Sequence, residues 1–96
     1  GEQGACCLDP EGQLYRSPAF PPDGGAKFTL GAGDTFNAAF IYAWCSSGQS
    51  DLGSALRFAC RVAGKKCGVR QWEDLREVVQ DITEDVLPTE NSLRNL

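Results

Sequence analysis

Ninety-six residues, 42% of them hydrophobic, can bury one modest core and leave little room for a two-lobed enzyme that closes around two substrates. A net charge of −4, from 13 acidic and 9 basic side chains, argues against nucleic acid or an anionic membrane as partner, because both select for clustered Lys and Arg. The basic cluster of Arg61, Lys65 and Lys66 reads as a solvated helix face; no apolar run reaches the roughly 18 residues of a membrane span and no signal-peptide pattern opens the chain, so a soluble protein is expected.

The chain opens with a predicted β-hairpin. Ala5 to Leu8 and Gln13 to Ser17 read as strands, joined by the turn Asp9-Pro10-Glu11-Gly12 with Pro and Gly in favoured places. Pro18, Pro21 and Pro22 with Asp23-Gly24-Gly25 then make an irregular connector, and Lys27 to Leu30 is expected as a brief extended stretch. A first helix is predicted from Asp34 to Ser46, apolar nearly all round through Phe36, Ala39, Phe40, Ile41, Tyr42, Ala43 and Trp44, and so in need of cover on most sides. Ser50 is the expected N-cap of a second helix that runs to Lys66 on a stripe of Leu52, Ala55, Leu56, Ala59, Val62 and Ala63, with Gly68 closing it. A third amphipathic helix is predicted from Trp72 to Leu87, ended by Pro88, and residues 89–96 read as a disordered tail.

Five cysteines, Cys6, Cys7, Cys45, Cys60 and Cys67, occur without any His and without a C-x-x-C pair, so neither a zinc site nor a disulfide framework is favoured. Most are expected to be buried thiols of a protein in a reducing compartment, the cytoplasm. Cys60 and Cys67 lie seven apart on one predicted helix and share a face, which suits a core or a soft pocket wall.

Gly31-Ala32-Gly33-Asp34 carries the chemistry. Three residues with small or no side chains let a phosphate approach the backbone, and the helix beginning there aims its unpaired N–H groups at it. Asp34 just inside that positive end is either a carboxylate that stabilises its own helix, or the group that takes a hydroxyl proton during phosphoryl transfer to an alcohol.

The string Phe28-Thr29-Leu30-Gly31-Ala32-Gly33-Asp34-Thr35-Phe36-Asn37-Ala38 resembles the C-terminal signature of the ribokinase-like, or PfkB, sugar kinases. The flanking blocks Ala19-Phe20-Pro21-Pro22 and Ala55-Leu56-Arg57-Phe58-Ala59-Cys60-Arg61-Val62-Ala63-Gly64-Lys65-Lys66-Cys67-Gly68 resemble the ketose-phosphorylating branch of that family, and the likeness extends from Gly1 to Gly68. It implies an α/β fold, residues 1–88 forming the C-terminal nucleotide-binding part of an α/β/α kinase domain with a hairpin, the glycine turn and three helices. The implied reaction is ATP-dependent phosphorylation of a sugar hydroxyl, D-fructose to D-fructose 1-phosphate. Asp34 then falls on the base, which also contacts the acceptor sugar, and the N–H groups of Gly31, Ala32 and Gly33 fall on the anion hole. Gly4, Ala5, Phe20, Pro21, Pro22, Ala32, Gly33, Cys60 and Cys67 fall on the family's nucleotide wall. Mg²⁺ is expected on the phosphates, so the resemblance implies no protein ligand for it.

Two departures from the family pattern bear on function. Members carry Asp-Thr before the glycine turn, the Asp helping to hold a monovalent cation such as K⁺, whereas this chain has Phe28-Thr29. The family's sugar site and the lid through which relatives form homodimers lie upstream of the matched blocks, so these 96 residues correspond to the last third of a kinase and are expected to be inactive alone. A non-catalytic fragment or divergent nucleotide-binding module is the competing reading, and ribokinase or adenosine kinase activity competes within the enzyme reading.

Overall fold

The computed structural model describes residues 2–71 and 73–75. Among them the elements run β1 (Ala5–Leu8), β2 (Leu14–Ser17), α1 (Ala32–Ser46) and α2 (Leu52–Lys66). Of the predicted third helix only residues 73–75 fall among the described residues, and they are helical; the rest of it and the tail lie outside them.

β1 and β2 pair antiparallel, with Ala5 opposite Ser17 and Leu8 opposite Leu14. Burial alternates along both strands, so Ala5, Cys7, Tyr15 and Ser17 form the covered face, while Cys6, Leu8, Leu14 and Arg16 face outward. Asp9 builds the turn: its carboxylate accepts the N–H groups of Glu11 at 2.9 Å and Gln13 at 2.8 Å, and its carbonyl accepts that of Gly12 at 3.0 Å. Such side-chain capture of nearby amides is why Asp favours turns.

α2 lies at the centre, with the hairpin against one side and α1 against another. The α1–α2 seam is made of small side chains, Ala39 and Ala43 against Ala55 and Ala59, filled out by Phe58 and Val62. Small residues four apart on both helices let the axes approach closely, since interaxial distance follows the side chains at the contact. Phe36, Phe40 and Trp44 run along the edge of this seam, partly buried, and the Phe36 and Phe40 rings stack at 6.3 Å.

Several expectations are corrected. α1 begins at Ala32, two residues before Asp34, because Gly31 takes the left-handed conformation (φ 84°) and turns the chain into the helix sooner. The all-round apolar character of α1 is not matched by all-round burial: Ile41 is 62% and Tyr42 54% exposed. Asp51, not Ser50, caps α2, its carboxylate accepting the Ser54 N–H at 2.9 Å and the Ser54 hydroxyl at 2.8 Å. The Ser50 hydroxyl instead donates to the Ser47 carbonyl, and the anionic cap suits the positive helix end. Residues 27–30 form no strand; they are irregular and tied to the end of α2, with the Lys27 and Phe28 N–H groups both donating to the Cys67 carbonyl at 3.1 and 3.0 Å.

Candidate functional site

Three stretches of chain converge beside α2 and enclose a cavity of about 850 Å³. The loop before β1 contributes Gly4, the first residue of β1 is Ala5, the connector contributes Phe20, Pro21 and Pro22, and the start of α1 contributes Ala32 and Gly33. α2 supplies Cys60 and the residue after its end supplies Cys67. The nine residues singled out from the sequence as a nucleotide wall therefore border one space of the size that holds a ligand of nucleotide dimensions.

Close backbone packing shapes this space. A Cβ at Gly64 would collide with the Phe20 carbonyl oxygen and stand 2.9 Å from its carbonyl carbon, and one at Gly68 would stand 2.8 Å from the Pro22 Cβ. Glycine at these two positions of the α2 region is what lets the connector lie flat against the helix. The Arg57 and Arg61 guanidinium groups then sit 5.6 and 5.8 Å from the Phe20 ring centre, inside the range of a cation–π contact, and fix the ring in the cavity wall.

The glycine turn stands at the other end. The Gly31 carbonyl accepts the Thr35 N–H and hydroxyl, each at 2.9 Å, which closes the first turn of α1. The Ala32 N–H, one of the three expected anion donors, turns inward to the Thr29 carbonyl at 3.1 Å, a consequence of the early helix start. Among the described residues the Gly33 and Asp34 N–H groups have no backbone acceptor, as first-turn amides do not, and a Cβ at Gly33 would meet open space. Asp34 is exposed in this first turn; it does not border the cavity itself but follows directly on two residues that do. A phosphate resting on Gly33 would thus have open N–H donors, the positive end of a fifteen-residue helix and a carboxylate beside it.

The cysteines divide. Cys60 is buried and Cys67 half-buried at the cavity, whereas Cys6 and Cys45 are exposed, so the expectation of mostly buried thiols does not hold: both lie on faces that no described residue covers. Burial first, then the charges of Cys6 and Asp9, raises the Cys7 thiol, and burial followed by the Asp9 carboxylate raises the Tyr15 phenol; both belong to the hairpin and neither borders the cavity. The basic cluster is not a uniformly solvated face either. Lys65 is exposed, Arg61 packs over Phe20, and Lys66 is buried with its ammonium donating to the Phe28 carbonyl at 2.8 Å. Phe28, half-buried, also carries the Arg70 guanidinium 5.8 Å from its ring centre.

Thr29, Phe36, Asn37, Ala63 and Gly64 also border the cavity and were not anticipated. Phe36 and Asn37 belong to the matched string and lie one turn beyond Gly33 on α1, a spacing that could have drawn them in. Among the described residues no group of three or more His, Cys, Asp or Glu could hold a metal ion, and no helix is long and apolar enough to cross a membrane.

The sequence profile of the pfkB family carbohydrate kinases matches residues 1–74, reaching past Gly68, where the likeness was expected to stop. Ketohexokinase of Mus musculus is 53% identical over 74 residues, which are 77% of this chain and 24% of that protein. Fructosamine kinase FrlD of Bacillus subtilis (strain 168) is 42% identical over 69 residues, 72% of this chain and 22% of that protein. The chain thus spans about a quarter of the length of these relatives.

Proposed function

We infer, for a chain that belongs to the pfkB family of carbohydrate kinases, that it supplies the nucleotide side and the base of an ATP-dependent sugar kinase whose acceptor is the 1-hydroxyl of D-fructose. The observation that carries this reading is the junction of an apolar, nucleotide-sized cavity with the open N-terminus of α1, where Asp34 stands in the first turn. Likeness to ketohexokinase supports the choice of fructose.

In this reading the Asp34 carboxylate takes the proton of the acceptor hydroxyl as its oxygen bonds to the terminal phosphorus of ATP. The bond from that phosphorus to the ADP oxygen breaks, and the transferred group's growing charge is met by the N–H groups of Gly31 and Gly33, joined by that of Asp34, at the positive end of α1. Ala32 serves as small wall rather than as donor, since its N–H is bonded to Thr29. Gly4, Ala5, Phe20, Pro21, Pro22, Cys60 and Cys67 hold the base and ribose by apolar contact. Mg²⁺ belongs to the nucleotide phosphates in this scheme and needs no protein cage. K⁺ has no carboxylate to meet at Phe28, so we propose turnover without K⁺ activation. Five free thiols suit the cytoplasm, where we place the enzyme.

Water exclusion and alignment of the sugar require residues beyond these, because closure around two substrates needs a second surface. The test is therefore made on a joined domain, this chain fused to the upstream sequence of mouse ketohexokinase. Fructose and ATP should give fructose 1-phosphate, identified by the phosphorus–proton coupling at C1. Absence of any phosphorylated sugar would overturn the reading and favour a non-catalytic nucleotide-binding module, which Phe28 suits. Because the sugar-binding residues of the joined domain are those of the mouse enzyme, the assay reads the nucleotide side and the base that this chain supplies.

A further inference from the structure

Lysine is seldom buried unless its ammonium is bound, because the charge must keep a substitute for water. Lys66 is 5% exposed, stands in the last turn of α2 where carbonyl dipoles favour a cation, and donates from Nζ to the Phe28 carbonyl at 2.8 Å. The next residue completes the attachment: the Cys67 carbonyl accepts the N–H groups of both Lys27 and Phe28.

These bonds differ in what they restrain. Two donors that converge on one oxygen make a pivot, about which the segment 27–28 can still rotate. The bond from Lys66 to the Phe28 carbonyl is a second point of attachment and stops that rotation. Three residues later the chain reaches Gly31, whose left-handed turn starts α1, and Thr29 in between accepts the Ala32 N–H. The orientation of residue 28 is therefore passed to the N-terminus of α1 through one short, internally bonded turn.

We propose that Lys66 is a positioning residue for the phosphate-binding turn, its ammonium setting where Gly33 and Asp34 stand relative to the cavity wall carried by α2. This rests on the reading of Asp34 and the turn as a phosphoryl-transfer site. The wall itself is held independently, by Gly64 against Phe20, Gly68 against Pro22 and the two guanidinium groups over the Phe20 ring. Loss of the ammonium should accordingly disturb chemistry more than nucleotide binding.

The test uses the joined domain and Lys66→Met, which keeps an apolar stem of similar length without the charge. The kcat should fall at least about 10-fold, because a displacement of the order of an ångström is enough to cost that much, while the KM for ATP stays nearly unchanged. Amide hydrogen exchange should rise in residues 29–35 and not in the hairpin or the first turns of α2. In Lys66→Ala, where the stem is removed, added propylammonium should restore part of the lost kcat, a response that a merely space-filling role would not give. Wild-type kcat in Lys66→Met, a rise in exchange spread evenly over the domain, or unchanged exchange in residues 29–35 would each overturn the proposal. If the wild-type joined domain phosphorylates no sugar, the kinase reading has failed; the exchange comparison then judges the positioning role by itself.

Discussion

Gly64→Ala sets two effects of known sign against each other. Within a helix, alanine is favoured over glycine by about 1 kcal/mol, so on propensity alone the substitution stabilises. In α2 the added methyl would collide with the Phe20 carbonyl oxygen, stand 2.9 Å from the carbonyl carbon and 3.5 Å from the Phe20 Cβ. Backbone, not the end of a flexible side chain, is what must give way. The connector is also tied on both sides of the contact, by Pro22 against Gly68 and by the Phe20 ring under Arg57 and Arg61. Overpacking of this kind costs about 1–3 kcal/mol, and the upper part of that range applies where backbone must move, so a net loss of about 1–2 kcal/mol is expected. Phe20 borders the cavity, so the KM for ATP should rise together with the loss of stability. Urea unfolding and ATP titration of the joined domain measure both. Gly53→Ala is the internal control: its Cβ would meet only Tyr15 Cδ1 at 3.5 Å and Asp51 Oδ1 at 3.8 Å, ordinary contacts, so it should gain up to about 1 kcal/mol. Equal stabilisation by both substitutions, with ATP binding unchanged, would refute the close packing of connector on helix.

Asp51→Ala removes the carboxylate that accepts the Ser54 N–H and should lower stability by about 1 kcal/mol in a denaturant titration, whereas Ser50→Ala should change it much less. Steady-state rates of the joined domain in K⁺ and in tetramethylammonium salts of equal strength should agree, since Phe28 offers no carboxylate to a monovalent cation; strong K⁺ activation would show that other groups build a cation site. The 96 residues alone should phosphorylate no sugar and bind ATP weakly by calorimetry, because closure around two substrates needs a second surface; a turnover signal above that of the Asp34→Asn chain would contradict this.

Local elements were legible in the sequence because their causes are local. Two short runs, Ala5–Leu8 and Leu14–Ser17, with the turn residues Asp9, Pro10 and Gly12 between them, are sufficient to mark a hairpin, and the spacing of Ala55, Ala59 and Val62 marks the buried stripe of α2. Boundaries depended on finer balances. Ser50 and Asp51 are both good caps and adjacent, and only the geometry of the Ser54 amide decides between them. The start of α1 turned on the positive φ of Gly31, which a glycine permits without requiring.

The site was legible in a different way. The nine residues anticipated for the cavity come from separate stretches, and resemblance rather than periodicity gathered them. What the resemblance did not convey was contact across the chain. Lys66 reads as one more cation on a solvated face until its partner 38 residues away is seen, and Gly64 reads as a weak point in a helix until Phe20 is found against it. Ala32 illustrates the same limit at short range, since its N–H serves the turn rather than a ligand once the helix begins there.

The role of Asp34 is the claim on which the functional account depends. Asp34→Asn in the joined domain keeps the shape of the first turn of α1 while removing the proton acceptor. The account predicts that kcat for fructose phosphorylation falls by about 10²–10⁴-fold, the range for loss of a general base, with ATP affinity nearly unchanged. Turnover that survives the substitution at close to the wild-type rate would contradict it.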